Sequence, residues 1–136
     1  MIKRTYPQSR LRRTRAKSYL RDLVAENHLT TNDLIQPIFI ADQSEMKIDI
    51  PSMPGIYRHN LESLYAETEE LLKKGIKSVA IFPAIDSEKK DAQGSHAFND
   101  KNIVCTALRG LAERFPEVIK IADVALDPYT DHGHDG

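Results

Sequence analysis

The sequence has a single cysteine, Cys105, among its 136 residues. No disulfide can therefore form within the chain, and a reducing compartment is indicated. There is no apolar run long enough to cross a membrane, and the N-terminus carries charge without the apolar core of a secretion signal. The 19 basic and 20 acidic side chains leave a net charge of −1, which argues against general binding to nucleic acids or membranes. We expect a cytoplasmic protein with one modest domain.

The charges that are present are unevenly distributed along the chain. Residues 123–136 carry only acidic charges and histidines, whereas the first 21 residues contain a basic cluster. The members of this cluster are Lys3, Arg4, Arg10, Arg12, Arg13, Arg15, Lys17 and Arg21. Because the two ends differ in charge, they predict two different roles. We interpret residues 1–16, which are polar and lack periodicity, as an extended basic N-terminal arm, and residues 17–136 as the domain.

Helical and strand patterns alternate after the arm. Apolar residues at helical spacing predict a short helix around Leu20, a second helix capped by Asn60, and a third capped by Asn99 or Asp100. The predicted strands are residues 33–40, 76–82 and 118–126. This order indicates an α/β fold with a parallel sheet, either doubly wound or part of a (β/α) barrel.

Proline and glycine refine these boundaries. Pro37 argues for an edge or irregular position of the first strand, and Pro83 is predicted to end the second strand. Gly75 suits the left-handed position that ends the second helix, and residues 50–60 have the composition of a turn-rich connection. The loops at the carboxyl ends of the strands, 83–98 and 127–136, are the polar ones, so we place the functional face there.

The closing stretch IADVALDPYTDHGHDG, residues 121–136, contains the candidate functional residues, which are its aspartates and histidines. If its strand continues through residue 127, Asp123, Ala125 and Asp127 share one face. Such carboxylates could bind Mg²⁺, transfer protons or hold an ammonium group. The stretch DHGHDG adds histidines that could bind Zn²⁺, although the same residues also suit a solvated turn. Asp123 interrupts an apolar pattern, and because burying an unpaired carboxylate is costly, a functional role is favoured.

Several segments, taken in order, resemble one known family. They are RLRRTR, NDLIQPIFI, IPSMPGIYRHN, GIKSVAIFP, KKDAQGSHAFN and FPEVIKIADVALDPYTDHGHDG. Together they are similar to the porphobilinogen synthase, or 5-aminolevulinate dehydratase, family. The resemblance implies a (β/α)₈ TIM barrel whose arm embraces a neighbouring subunit, commonly in a homo-octamer. It also implies condensation of two 5-aminolevulinate molecules to porphobilinogen, with loss of two waters, in haem and tetrapyrrole biosynthesis.

The resemblance also assigns the acidic residues. Zinc-type members have cysteines at the positions of Ala125, Asp127 and Asp135, so the zinc site is lost here and the chain is similar to the aspartate-rich, magnesium type. Its Mg²⁺ ligands would lie largely outside this chain. Asp123, Asp127 and Asp135 are then the expected catalytic carboxylates, and no metal ligand is assigned within the chain.

The resemblance places the family's Schiff-base lysines beyond residue 136. The chain would then hold the arm and about the first three βα units of the barrel, and alone it is expected to be inactive. Two alternatives remain open. One is an inactive fragment that acts as an oligomerisation module. The other is a metal-dependent hydrolase built on Asp123, Asp127, His132 and His134.

Overall fold

A computed structural model describes Thr5, Pro7, Ser9 and residues 12–135. These residues form two compact units, and the division between the units falls between Thr30 and Thr31. The described part of the first unit contains a 3₁₀ turn at Arg13–Arg15 and helix α1 at Ser18–Leu23, and neither contains a buried residue. Helix α1 confirms the short helix predicted around Leu20. Much of the predicted arm lies outside the described residues, so its boundary at residue 16 stays a prediction.

Within the described residues, the second unit is built on a five-stranded sheet in the order β2-β3-β1-β4-β5. The strands are β1 Gln36–Ala41, β2 Lys47–Asp49, β3 Tyr57–His59, β4 Ser78–Ala84 and β5 Ile119–Ala122. β3, β1, β4 and β5 are parallel neighbours, and β2 pairs antiparallel with β3. The predicted α/β class and the parallel sheet are confirmed.

Two prolines lie inside strands, although we expected Pro37 at a sheet edge or in an irregular segment and Pro83 at the end of its strand. Pro37 belongs to β1, the central strand, and Pro83 lies within β4, which continues to Ala84. The pairing of β3 with β1 involves only Phe39 and Ile40, and the pairing of β5 with β4 stops at Ile81. Each proline therefore has a paired strand on one side only, so the missing N–H disturbs the sheet less there.

The structure contains two further strands that the sequence pattern did not reveal: β2 just before the segment predicted as a turn-rich connection, residues 50–60, and β3 within it. β2 and β3 form a short hairpin, with Ile48 opposite Arg58. Its turn is closed by the N–H of Met53, which donates to the carbonyl of Ile50 at 2.8 Å. Gly55 has φ +83°, a left-handed conformation that glycine adopts without strain.

Helices α2, Leu61–Lys73, and α3, Ile103–Arg114, connect the parallel strands. The side chain of Asn60 caps α2 by accepting from the N–H of Ser63 at 2.9 Å, and Gly75 follows with φ +83°, as predicted. The cap of α3 is Asn102, which accepts from the N–H of Cys105 at 2.8 Å. The predicted caps Asn99 and Asp100 are therefore wrong, because the chain makes one further turn before the helix begins.

The core lies between the sheet and these two helices. Alternate residues of β1 and β4 face the helices, and successive apolar turns of α2 and α3 cover them. The buried cluster comprises Ile38, Ile40, Leu64, Leu71, Val79, Ile81, Val104, Ala107, Leu111 and Val118. Phe39 and Phe82 project from the opposite face, with ring centroids 5.9 Å apart. No helix in the described part of the chain is long and apolar enough to span a membrane.

Candidate active site

Two loops meet at the carboxyl end of the parallel strands: residues 85–102, after β4, and residues 123–135, after β5. Asp91 pairs with Thr130 across them in a bridge resembling a short parallel ladder. The N–H of Asp91 donates to the carbonyl of Tyr129 at 3.3 Å, and the N–H of Asp131 donates back to the carbonyl of Asp91 at 3.2 Å. We call this the Asp91–Thr130 bridge. It joins the two polar loops that the sequence assigned to the functional face.

The side chain of Asp91 shapes the first loop beside the bridge. Its Oδ1 accepts from the backbone N–H groups of Ser95 at 2.9 Å and Gln93 at 3.0 Å. These N–H groups, chiefly that of Ser95, hold the pKa of Asp91 below its ordinary value because they favour the ionised form. Asp91 therefore remains a carboxylate that organises the loop on which it lies.

A cavity of about 360 Å³ opens on the sheet face opposite the helices, and we call it the aspartate cavity. The closing loop supplies Asp123, Ala125 and Asp127 to its wall. The rest of the lining consists of Phe39, Phe82, Pro83, Lys90, Pro128, Tyr129 and Gly133. Its walls thus combine aromatic rings with two carboxylates and one lysine, a composition suited to a small polar molecule.

Asp123, Ala125 and Asp127 lie on one side of the chain, as predicted, but they belong to a loop and not to a strand. β5 ends at Ala122, so the expected strand through residue 126 is wrong, and Asp123 is exposed rather than buried. The argument from the cost of burying Asp123 therefore fails. Even so, Asp123, Ala125 and Asp127 line one cavity, because the irregular loop after β5 keeps them on the same side.

Asp135 occupies a different place from the other two aspartates. It is exposed and does not line the aspartate cavity. Its Oδ1 accepts from the backbone N–H groups of Leu126 and, at 3.0 Å, Asp127. The Asp135 side chain thereby holds the backbone of Asp127 in position.

The two histidines of DHGHDG stabilise the loops. Their rings stack with centroids 6.1 Å apart, and the N–H of His134 donates to Nδ1 of His132 at 3.3 Å. Since Nδ1 accepts a hydrogen bond, Nε2 carries the proton, and it lies 3.3 Å from the carbonyl oxygen of Ala92 in the other loop. His132 thus adds a second link between the loops.

The described residues do not fit a metal centre of the zinc type. No group of three or more histidine, cysteine or carboxylate side chains converges on a common point within residues 12–135. Ala125 has no ligand atom, and an oxygen of Asp135 is engaged by two backbone N–H groups. The hydrolase built on Asp123, Asp127, His132 and His134 therefore has no support in the geometry.

The site also contains residues that the sequence did not single out. Tyr129 is 6% exposed, and burial raises the pKa of its hydroxyl. Thr130 is buried, and its hydroxyl donates to the carbonyl of His134 at 2.9 Å. Lys90 lines both the aspartate cavity and an adjoining cavity of about 370 Å³. Arg58 also lines the adjoining cavity. Lys90 belongs to the polar loop 83–98, and the polarity of that loop was the signal in the sequence that could have indicated it.

Comparison with known proteins gives a consistent result. The family model described as Delta-aminolevulinic acid dehydratase matches residues 8–136. Enzymes of that name from Chlamydia pneumoniae and Bradyrhizobium diazoefficiens are 46% and 44% identical to the chain. The matches cover 93% of this chain in both cases, and 38% and 36% of the relatives. The chain thus spans less than two fifths of the length of these curated relatives.

A solved structure extends the likeness to three dimensions. The delta-aminolevulinic acid dehydratase (porphobilinogen synthase) of Toxoplasma gondii, in complex with the reaction product porphobilinogen, is 42% identical with a TM-score of 0.87. The match covers 95% of this chain and 36% of that one. This likeness supports the predicted fold class, an α/β portion of a TIM barrel. The chain belongs to the delta-aminolevulinic acid dehydratase family.

Proposed function

We propose that the protein containing this chain is a porphobilinogen synthase. It condenses two molecules of 5-aminolevulinate to porphobilinogen, with loss of two waters, in haem and tetrapyrrole biosynthesis. The observation that carries the proposal is the likeness to the Toxoplasma gondii enzyme, solved with porphobilinogen bound, over 95% of this chain. The aspartate cavity lies at the carboxyl end of the parallel strands, where α/β proteins bind their ligands.

Asp123 and Asp127 are the proposed catalytic carboxylates. Both line the aspartate cavity, where they can attract the ammonium group of 5-aminolevulinate and accept protons as its nitrogen and carbon atoms react. Asp135 has a positioning role in this proposal, because its carboxylate fixes the backbone of Asp127. The lysines that form Schiff bases with substrate in this family are assigned to the part of the protein beyond residue 136.

The metal proposal follows from the residues at the zinc-type positions. Ala125, Asp127 and Asp135 do not fit a zinc centre, so no step of the reaction is assigned to a metal held by them. We propose that the protein responds to Mg²⁺ through ligands largely outside this chain. Zinc chelators should then leave its activity unchanged.

We also propose that the intact protein is cytoplasmic and forms a homo-oligomer, an octamer, through residues 1–16. The arm contains most of the basic cluster, and this charge supports an interaction role. Deletion of residues 1–16 should convert the assembly into smaller species in sedimentation analysis. An unchanged octamer would contradict the role given to the arm.

The activity itself is tested with the full-length protein by measuring porphobilinogen formed from 5-aminolevulinate. Asp123→Asn and Asp127→Asn should each lower kcat by about a hundredfold or more, the range expected for a lost acid–base group. Asp131→Asn is the matched control, because Asp131 is exposed on the same loop and does not line the cavity. Absence of porphobilinogen with the unmodified protein would refute the proposal. Residues 1–136 alone should form none.

A further inference from the structure

A cavity of about 120 Å³ lies between the β2–β3 hairpin and helix α2, and we call it the hairpin cavity. It is separate from the aspartate cavity and from the adjoining cavity, and it shares no lining residue with either. One of its lining residues is His59, a histidine that is 6% exposed. The other lining residues are Gln36, Pro37, Ile38, Lys47, Gly55, Ile56, Tyr57 and Glu67.

Two side-chain contacts beside this cavity attach the hairpin to α2. Nδ1 of His59 lies 2.9 Å from Oγ of Ser63, and Nζ of Lys47 donates to Oε2 of Glu67 at 3.0 Å. Lys47 and His59 are opposite each other in the pairing of β2 with β3. Both contacts therefore hold the same end of the hairpin against the helix, and we call them the His59 clasp.

The surroundings of the His59 ring favour its neutral form. Burial, followed by the charge of Lys47 on β2, lowers the pKa of His59, whereas the charge of Glu67 on α2 acts in the opposite direction. Tyr57 on β3 lies in edge contact with the ring and Gln36 on β1 lines the same cavity, and both are uncharged at neutral pH. Within residues 12–135, Nε2 of His59 has no hydrogen-bond partner, so one N–H of an imidazolium would have no acceptor there. A charged ring would also repel Lys47 and compete with it for Glu67.

The opposite face of the hairpin belongs to the candidate active site. Alternate residues of a strand project to opposite faces of the sheet. Lys47 and His59 face α2, whereas Ile48 and Arg58, which are also paired across the hairpin, line the adjoining cavity. Since the adjoining cavity shares Lys90 with the aspartate cavity, a displacement of the hairpin changes the surroundings of the candidate active site.

We propose that the β2–β3 hairpin is a pH-sensitive wall of the candidate active site, which protonation of His59 releases from α2, so that Ile48 and Arg58 leave the adjoining cavity. The clasped hairpin holds the neutral ring. In the released hairpin the ring is hydrated and takes up a proton near its ordinary pKa of 6.5. A fall from one pH unit above this value to one unit below it should therefore raise the ratio of released to clasped molecules by up to about tenfold. This regulation goes beyond the proposed function and does not depend on the reaction catalysed.

The test is amide hydrogen exchange of the full-length protein at these two pH values, corrected for the intrinsic pH dependence of exchange. The N–H groups of Ile50 and Asn60 report on the hairpin, because they donate to the carbonyls of Ile56 and Met46, each at 3.1 Å. The amides of the pairing between β1 and β4 are the internal reference. At the lower pH, protection of the hairpin amides should fall by up to about tenfold relative to the reference.

Three variants identify the titrating group. His59→Gln has no titratable ring and should abolish the pH difference. Lys47→Met weakens the clasp at both pH values but removes the cation that repels the imidazolium, so it should reduce the pH difference. His28→Gln, at an exposed histidine outside the second unit, is the matched control and should retain the full difference.

The outcomes separate a local switch from general instability. Equal protection of the hairpin amides at both pH values in the unmodified protein would overturn the inference, as would a pH difference that persists in His59→Gln. If His59→Gln leaves the hairpin unprotected at both pH values, an undiminished pH difference in Lys47→Met would overturn it instead. An equal loss of protection at the reference amides would mean global unfolding and would also contradict it. Absence of porphobilinogen would refute the proposed function, whereas the exchange data alone decide the inference.

Discussion

Gly110 on α3 lies directly against the ring of Tyr65 on α2. A Cβ atom added at Gly110 would lie 1.9 Å from Oη of Tyr65 and 2.7 Å from Cζ, far inside contact distance. Arg114, one turn further along α3, places its guanidinium 4.4 Å from the centroid of the same ring. The substitution Gly110→Ala therefore requires the tyrosine ring to leave its place between the helices.

The expected magnitude combines two opposing effects. Alanine favours a helix interior over glycine by about 1 kcal/mol. Displacing the ring loses about 0.5–1 kcal/mol of cation–π attraction and about 1–1.5 kcal/mol of apolar burial. Gly110→Ala should therefore lower the free energy of unfolding by about 1 kcal/mol. In a Tyr65→Ala background only the helix preference remains, so the same substitution should raise it by about 1 kcal/mol.

The assay is urea unfolding of the four proteins of this double-mutant cycle. Ala112→Gly is the control, because Ala112 is an exposed interior residue of α3 and reports the helix preference without a steric conflict. Stabilisation of equal size by Gly110→Ala in both backgrounds would refute the reasoning, since it would mean that the ring of Tyr65 is not displaced.

Two further predictions concern buried polar residues. His59 is 6% exposed, and burial, followed by the charge of Lys47, lowers its pKa. Since the unfolded chain then binds the proton more readily, the free energy of unfolding should fall as pH drops below about 6.5. His59→Gln should show a smaller decline between pH 7 and 5, measured by urea unfolding. Asn102→Ala removes the cap of α3 and should lower the free energy of unfolding by about 1–2 kcal/mol. The side chain of Asn99 accepts from the N–H of Lys101 outside the helix. Asn99→Ala should therefore lower the free energy of unfolding by less than Asn102→Ala does in the same assay.

The features predicted correctly from the sequence are those set by local interactions. Asn60 caps α2 and Gly75 ends it in the left-handed conformation, because both effects act within one helical turn. The buried residues Ala107 and Leu111 recur at the helical spacing that the pattern showed. The alternation of such elements was sufficient to predict the parallel sheet.

The features that were missed depend on partners distant in sequence. Pro37 and Pro83 are tolerated in β1 and β4 because of where the neighbouring strands begin and end, which no local pattern reveals. Asp123 is exposed because β5 is short. In the site, the grouping of Asp123 with Asp127 was predicted. Lys90 was missed because contacts between two loops distant in sequence, including the Asp91–Thr130 bridge, bring it beside them.

The Asp91–Thr130 bridge also has a consequence for folding. The bridge joins Asp91 to Thr130, and α3 and β5 lie between these two residues in the sequence. The two loops can therefore become neighbours only after α3 and β5 have packed against β4. The aspartate cavity should therefore be completed late in folding, and the bridge should be among the first hydrogen bonds to open in the native state. Hydrogen exchange at the amides of Asp91 and Asp131 should therefore be faster than exchange at the amides of the sheet. The comparison would measure the opening of the candidate active site separately from the opening of the sheet.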